Sequence, residues 1–294
     1  MNAVNLYIGI TDYDWFRFLS ALETVDEVNF WQPGGRTNFR VLQRGELFLF
    51  KLHAPRNFVV GGGVFVRADI LPTSLAWEAF GKANGAASLP EMRKRIAYYR
   101  HRCRILTQPF FLSEEDWIPI PASWSPHIQQ GRTYSTAQRD GRHLWDVLME
   151  RVSQPTAPIA VPRYGEPTLI HPRLGQGAFR ISVTDAYHRR CAVTGERTLP
   201  ILDAAHIRPY AEGGAHELAN GLLLRTDIHR LFDLGYVTIS RDARFEVGRR
   251  LNEHFENGRH YYAMHGQALS LPENLDQRPS RQVIEWHQTQ RFLG

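Results

Sequence analysis

The stretch LPILDAAHIRPYAEGGAHELANGLLLRTDIHRLFDLG, residues 199–235, decides the reading of this chain. PILDAAHI is a strand-like run that delivers His206. Pro209 stops it, and Gly213-Gly214 lets the chain turn. NGLLLR, 220–225, reads as a second strand opened by Asn-Gly. Thr226 is the expected N-cap of a short helix, DIHRLFDL, closed by Gly235. On that helix His229 and Asp233 stand four residues apart and share a face. A β-turn-β hairpin therefore brings His206 close to a helix that presents an imidazole and a carboxylate together.

Such a cluster suits phosphodiester hydrolysis. The reaction needs a base to deprotonate water, and an imidazole that is neutral near pH 7 supplies one. It also needs a cation to offset charge building on the phosphate and the leaving oxygen. His229 and Asp233 are the candidate metal ligands, with Asp203 as a third. Oxygen and nitrogen donors favour Mg²⁺ or Mn²⁺ and also accommodate Zn²⁺. Asn220 is placed to tie the long turn back to the strand carrying His206.

His206, then Asn220 fourteen residues on, then His229 nine further, resembles the HNH, or ββα-metal, nuclease motif. The phrase AAHIRPYAEGG…NGLLLRTDIHRLFDLG resembles the restriction-endonuclease group of HNH proteins. The resemblance implies that His206 is the general base, Asn220 the structural asparagine and His229 a helix-borne metal ligand. Asp233 falls where colicin-type HNH nucleases carry another metal-binding histidine. Ala205 departs from the pattern, since many HNH proteins place a His or Asp ligand directly before the base. Cys191 opens CAVTG, where some HNH proteins carry Cys-x-x-Cys; Thr194 stands at the second position, so no structural zinc is expected.

Around the motif, RLGQGAFR, 173–180, reads as a flexible loop offering Arg173 and Arg180 to DNA phosphates; Arg208 and Arg225 are further phosphate contacts. His216 lies in the glycine-rich turn and is expected to be solvated. His254, His260, His265 and His287 are expected at the surface or stacked on neighbours.

Towards the N-terminus the pattern changes to short strands and helices. NLYIGI, 5–10, reads as a strand, and Trp15 to Leu22 as a helix capped by Asp12. EVNFWQPGGR, 27–36, 46–53, 57–67 and 105–112 read as strands, and 74–81 and 88–100 as helices. The order faintly resembles the PUA-like group, which includes EVE, YTH and SRA domains. That resemblance implies a reader of modified cytosine, with Trp15 and Trp31 as residues stacking on an extruded base. Residues 113–139 are loop-rich, 141–152 form an amphipathic helix, and SQPTAPIAVPRYGEP, 153–167, has linker composition.

The expected class is α+β: a PUA-like small β-barrel with helices over 1–112, connecting loops, a helix and linker over 113–165, and a ββα-metal HNH domain over 166–294. Composition bounds the rest. The 294 residues carry 43% hydrophobic residues, enough for two domain cores. No apolar run approaches a membrane span, the N-terminus lacks a basic leader, and Cys103 and Cys191 are too few for a disulfide framework. A cytoplasmic protein with no membrane partner is expected. Of the 35 basic residues only Lys51, Lys82 and Lys94 are lysines. Arginine forks suit phosphate and guanine edges, although a GC-rich genome yields the same bias. The expected partner is double-stranded DNA, with modified cytosine as the sharper expectation and a homodimer if both strands are cut. The competing reading is a non-catalytic DNA-binding protein with a degenerate HNH scaffold, which Ala205 favours and the intact His206, Asn220 and His229 oppose.

Overall fold

The computed structural model describes residues 3–32, 39–96, 102–152, 169 and 175–294. The chain divides into two compact units, Met1–Ala178 and Phe179–Gly294. It is α+β.

The first unit opens with β1 (Asn5–Thr11) and α1 (Tyr13–Ser20). The Asp12 carboxylate accepts the Trp15 N–H at 2.7 Å, which is the N-cap that the sequence called for. Next come β2 (Glu27–Gln32), β3 (Leu47–Leu52) and β4 (Phe58–Ile70), then α2 (Thr73–Phe80) and α3 (Leu89–Ile96), then β5 (Arg102–Phe111). The segment expected as connecting loops contributes two further strands, β6 (Ile118–Pro119) and β7 (Gly131–Ser135), followed by α4 (Arg139–Val152).

All seven strands form one sheet in the order β2-β5-β4-β3-β1-β7, with β6 on β4. The β1–β3 pairing is parallel and the others are antiparallel. β3, LFLFKL, is buried at every residue, Lys51 included, and its apolar run Leu47–Phe50 fits a strand in the middle of the sheet. The small β-barrel expected here is not closed: the sheet runs as an open path from β2 to β7, and among the described residues these end strands do not pair. One apolar cluster centres on Leu6, Leu49, Val64 and Trp145, and another on Trp15, Phe30, Phe48 and Phe50.

Trp15 is a core residue. It is 3% exposed and meets Phe30 and Phe50 edge-on at 5.2 and 5.1 Å, which leaves no face for a base and corrects the stacking role expected for it. Trp31 is partly buried, and its indole N–H donates to the Asn84 carbonyl at 2.7 Å.

The second unit is built on a hairpin of β8 (Leu202–His206) and β9 (Gly221–Arg225). It follows α5 (Gln176–Ala186), whose Phe179 and Val183 enter the core of this unit. The expectation of a flexible loop over 173–180 is thereby corrected for 176–180, which are helical. Arg180 sits on a helix, and Arg173 lies outside the described residues. After β9 come α6 (Thr226–Asp233), a second hairpin of β10 (Val237–Ile239) and β11 (Phe245–Val247), then α7 (Arg250–Phe255), α8 (Arg259–Tyr262) and α9 (Arg281–Gln290). One core gathers Leu222, Leu224, Ile228, Phe232, Phe245 and Ile284. Among the described residues no helix is long and apolar enough to cross a membrane.

Candidate functional site

The β8–β9 hairpin sets the site. Its register places His206 opposite Gly221, Ala205 opposite Leu222 and Asp203 opposite Leu224. Glycine is required at 221, because a Cβ there would stand 2.6 Å from Val183 and 3.1 Å from Phe179. The absence of that side chain lets Phe179 lie flat against His206, with ring centroids 3.9 Å apart and 14° between planes.

Asn220 closes the turn, as the sequence implied. Its Oδ1 accepts the Arg208 N–H at 2.9 Å, and its Nδ2 donates to the Arg208 and Ala215 carbonyls at 2.9 and 3.0 Å. The side chain is 3% exposed, so these bonds satisfy a buried amide that would otherwise carry a desolvation cost. Three bonds from one residue pin both ends of the loop between the strands.

The Asn-pinned turn also folds His216 back onto the site. His216 Nδ1 and His206 Nε2 are 2.8 Å apart, and the His216 ring stacks on Tyr210 at 4.5 Å and 10°. His216 is partly buried, which corrects the expectation of a solvated turn residue. Sequence reasoning missed this pair because the contact depends on the path of the whole turn. The one local signal was a second histidine ten residues after the first.

His206 is half-buried. Burial first, then the charges of His216 and His229, push its imidazole down to about 4. The ring is therefore neutral near pH 7, the form that can accept a proton.

α6 supplies the other half. Thr226 is the first helical residue and not its N-cap, since Arg225 occupies that position without a side-chain cap bond. The helix ends in a Schellman pair: Tyr236 N–H donates to Leu231 O at 2.9 Å and Gly235 N–H to Phe232 O at 3.0 Å, with Gly235 at φ +80°. His229 Nδ1 lies 3.3 Å from Asp203 Oδ2 on β8, and its Nε2 lies 3.4 Å from Asp233 Oδ2 one turn along α6. The structure thus brings together the three residues expected to hold a metal. Ala205 is fully buried in the core, so that position adds no ligand; Asp203, two residues earlier, faces His229.

Among the described residues no group of three or more His, Cys, Asp or Glu side chains is arranged as a finished metal cage. The donor types, all oxygen and nitrogen, are those a hard divalent cation takes, but the two carboxylates flank opposite nitrogens of His229 and do not meet at one point. As they stand, both nitrogens of His229 face carboxylates, so holding a cation requires the ring to leave one of them.

The arginines divide into two kinds. Arg225 is held bidentate by Asp227 at 2.6 and 2.7 Å, and Tyr261 donates to the same carboxylate at 3.0 Å. Arg180 lies 3.8 Å from Asp203 and donates to Leu202 O at 3.4 Å. Both are already engaged by the protein. Arg208 donates through Nε to Glu212 O at 2.7 Å and lies over the Trp286 ring, while its Nη groups make no hydrogen bond among the described residues. Of the two places expected for His287, the surface or a stack on a neighbour, the second holds: it is 2% exposed and stacks on Phe232.

Residues 191–240 match the family model described as HNH endonuclease. No curated protein matches the chain in sequence. Among solved structures, ASCH from Zymomonas mobilis is 10% identical over 49% of this chain and 94% of its own, with a TM-score of 0.34. The modification-dependent TagI restriction endonuclease is 12% identical over 97% of this chain and 81% of its own, with a TM-score of 0.29. Neither superposition reaches a TM-score that carries a fold or an activity across.

Proposed function

We propose that the chain is a metal-dependent DNA endonuclease that hydrolyses phosphodiester bonds at the His206–His229 site. One observation carries this reading. Inside the segment that matches the HNH endonuclease family, a neutral half-buried imidazole stands on a hairpin whose turn Asn220 pins, beside a helix where His229 meets two carboxylates.

In this account His206 takes a proton from water, and the resulting hydroxide oxygen bonds to phosphorus. One phosphorus–oxygen bond to sugar breaks, and the leaving oxygen gains its proton from solvent. Asp203, His229 and Asp233 would hold Mg²⁺ or Mn²⁺, with Zn²⁺ as the other ion the donors accept, and that cation supplies charge neutralisation at the phosphate. Arg208 is the phosphate contact of choice, because its outer guanidinium nitrogens keep their donors. Arg180 and Arg225 act mainly as internal partners of Asp203 and Asp227.

Hairpin-and-helix sites of this kind grip the DNA backbone, which carries no sequence information. We therefore assign selectivity to the first unit, with modified cytosine in foreign or modified duplexes as its target and restriction as the role. Support comes from its own sheet and cores and from the PUA-like order of its sequence. With Trp15 in the core, Trp31 is the remaining tryptophan proposed for base contact.

The test is incubation of the full chain with unmodified, 5-methylcytosine and 5-hydroxymethylcytosine duplexes, in Mg²⁺, in Mn²⁺ and in EDTA. Cleavage that needs the cation and prefers one modified duplex is expected. Equal cleavage of all three duplexes would remove modified-base selectivity and leave the nuclease. Cleavage undiminished in EDTA would remove metal dependence.

A further inference from the structure

We infer that His216 is a positioning residue for the base: its Nδ1 accepts the Nε2–H of His206 and so leaves the His206 Nδ1 lone pair for the water. This rests on the nuclease reading above, but its geometry stands apart from it.

The ring nitrogens decide which histidine donates. A neutral imidazole has one N–H and one lone pair, and the partner of one nitrogen decides the state of the other. His206 Nε2 is 2.8 Å from His216 Nδ1, so one of these two nitrogens carries the shared proton. If His216 were the donor, the only lone pair of His206 would be spent on that bond and nothing would remain to take a proton. If His206 is the donor, Nδ1 is the basic atom, and it makes no hydrogen bond among the described residues. Only the second arrangement leaves a base.

The surroundings hold this arrangement in place. Phe179 lies parallel to His206 at 3.9 Å, which fixes the plane of the ring. Tyr210 lies parallel to His216 at 4.5 Å and fixes the plane of the acceptor. Asn220 donates to the Ala215 carbonyl at 3.0 Å, immediately before His216, so the acceptor is anchored by the same amide that closes the turn. The bond also gains strength at the moment it is needed. When His206 Nδ1 takes the water's proton, the ring becomes an imidazolium, and its Nε2–H then donates to a neutral nitrogen as a charge-assisted bond. No proton has to leave His206 along this bond; the one it gained returns to solvent from Nδ1.

Two variants separate this role from a purely structural one. His216→Asn loses the ring but places Oδ1 close to the position of Nδ1, so it keeps an acceptor. His216→Phe keeps the ring and the stack on Tyr210 but offers no acceptor. If His216 merely packed, Phe would be the tolerated change. We expect the reverse, with the Asn variant cleaving DNA at about the wild-type rate and the Phe variant slower by about 10-fold or more, since holding an imidazole in its working tautomer is a rate effect.

Nitrogen-15 NMR of His206 in the full chain near neutral pH, without DNA or metal, reads the tautomer directly. A protonated Nε2 and a bare Nδ1 are expected in the wild type, with that preference lost in His216→Phe and retained in His216→Asn. A protonated Nδ1 in the wild type, or a Phe variant that cleaves as well as the Asn variant, would overturn the assignment. A wild-type chain that cleaves nothing would count against the nuclease reading instead, and the tautomer spectrum would still decide the role of His216.

Discussion

Two histidines of the second unit lie flat on phenylalanine rings in nearly the same way. His206 stacks on Phe179 at 3.9 Å and 14°, and His287 on Phe232 at 3.7 Å and 13°. Both imidazoles are pushed down to about 4, and burial is the first cause in each case. Their nitrogens tell them apart. His287 Nε2 donates to the Phe232 carbonyl at 3.1 Å, and its Nδ1 accepts the Thr238 hydroxyl at 2.8 Å. Both positions are filled, the ring is 2% exposed, and nothing can reach it. His206 is half-buried and has one nitrogen bonded to His216 and the other without a hydrogen bond among the described residues. A depressed histidine is thus a weak marker of chemistry by itself; a depressed histidine that is partly exposed and has a nitrogen without a hydrogen bond is a stronger one.

The comparison can be broken first at the third histidine. His229 has carboxylates at both nitrogens, like a structural residue, yet it is partly exposed. If it is a ligand, His229→Ala lowers the affinity for Mn²⁺ by about 10-fold or more and cleavage falls with it, whereas a structural ring would leave metal affinity alone. Calorimetric titration with Mn²⁺ decides. Asp203→Asn is the companion: unchanged affinity there would place the ion on the α6 side only.

Acid sharpens the comparison next. Both rings titrate near 4 in the folded chain against 6.5 for a free imidazole, so between those values the unfolded chain binds protons that the folded chain refuses. The stability these rings contribute is full above pH 6.5 and is lost as the pH falls towards 4. His287, the more buried, should cost roughly 2–3 kcal/mol by the lower limit. Chemical denaturation across this window should show stability falling with pH. The slope should flatten in His287→Gln more than in His206→Gln, because solvent screens the half-buried ring. A flat profile in the wild type would show that neither ring refuses protons.

A smaller effect is expected at Asn220. Replacing it with Ala strands the Arg208 N–H and two carbonyls, at a cost of about 1–3 kcal/mol. Because the turn also carries His216, cleavage should fall by more than the loss of folded protein explains. Equal losses in the two readouts would make Asn220 a purely structural residue.

Much of this was legible in the sequence, and the rest was hidden for physical reasons. The β8–β9 hairpin, α6 and the Asp12 cap of α1 have local signals: Asn-Gly, an apolar period, a carboxylate three residues before the N–H it accepts. Asn220 and His229 fell where the motif spacing placed them. β7 had no such signal, since its partner β1 lies more than a hundred residues earlier and pairing at that range leaves no trace in composition. The start of α5 reads as a loop because Gly175 and Gly177 mask the apolar residues Phe179, Ile181 and Val183, for two of which, Phe179 and Val183, Gly221 leaves room. The burial of Trp15 has a signal in the sequence, since it shares a helical face with the buried Leu19; so does His287, which shares one with Ile284.

The central claim is that His206 performs chemistry while His287 holds the fold. The most direct measurement compares DNA cleavage by His206→Ala and His287→Ala at matched concentrations of folded protein, with folding followed by circular dichroism. The account predicts that His206→Ala stays folded and loses about 10²–10⁴-fold in rate. It predicts that His287→Ala is destabilised but cleaves near the wild-type rate per folded molecule. Near-normal cleavage by folded His206→Ala would contradict the account.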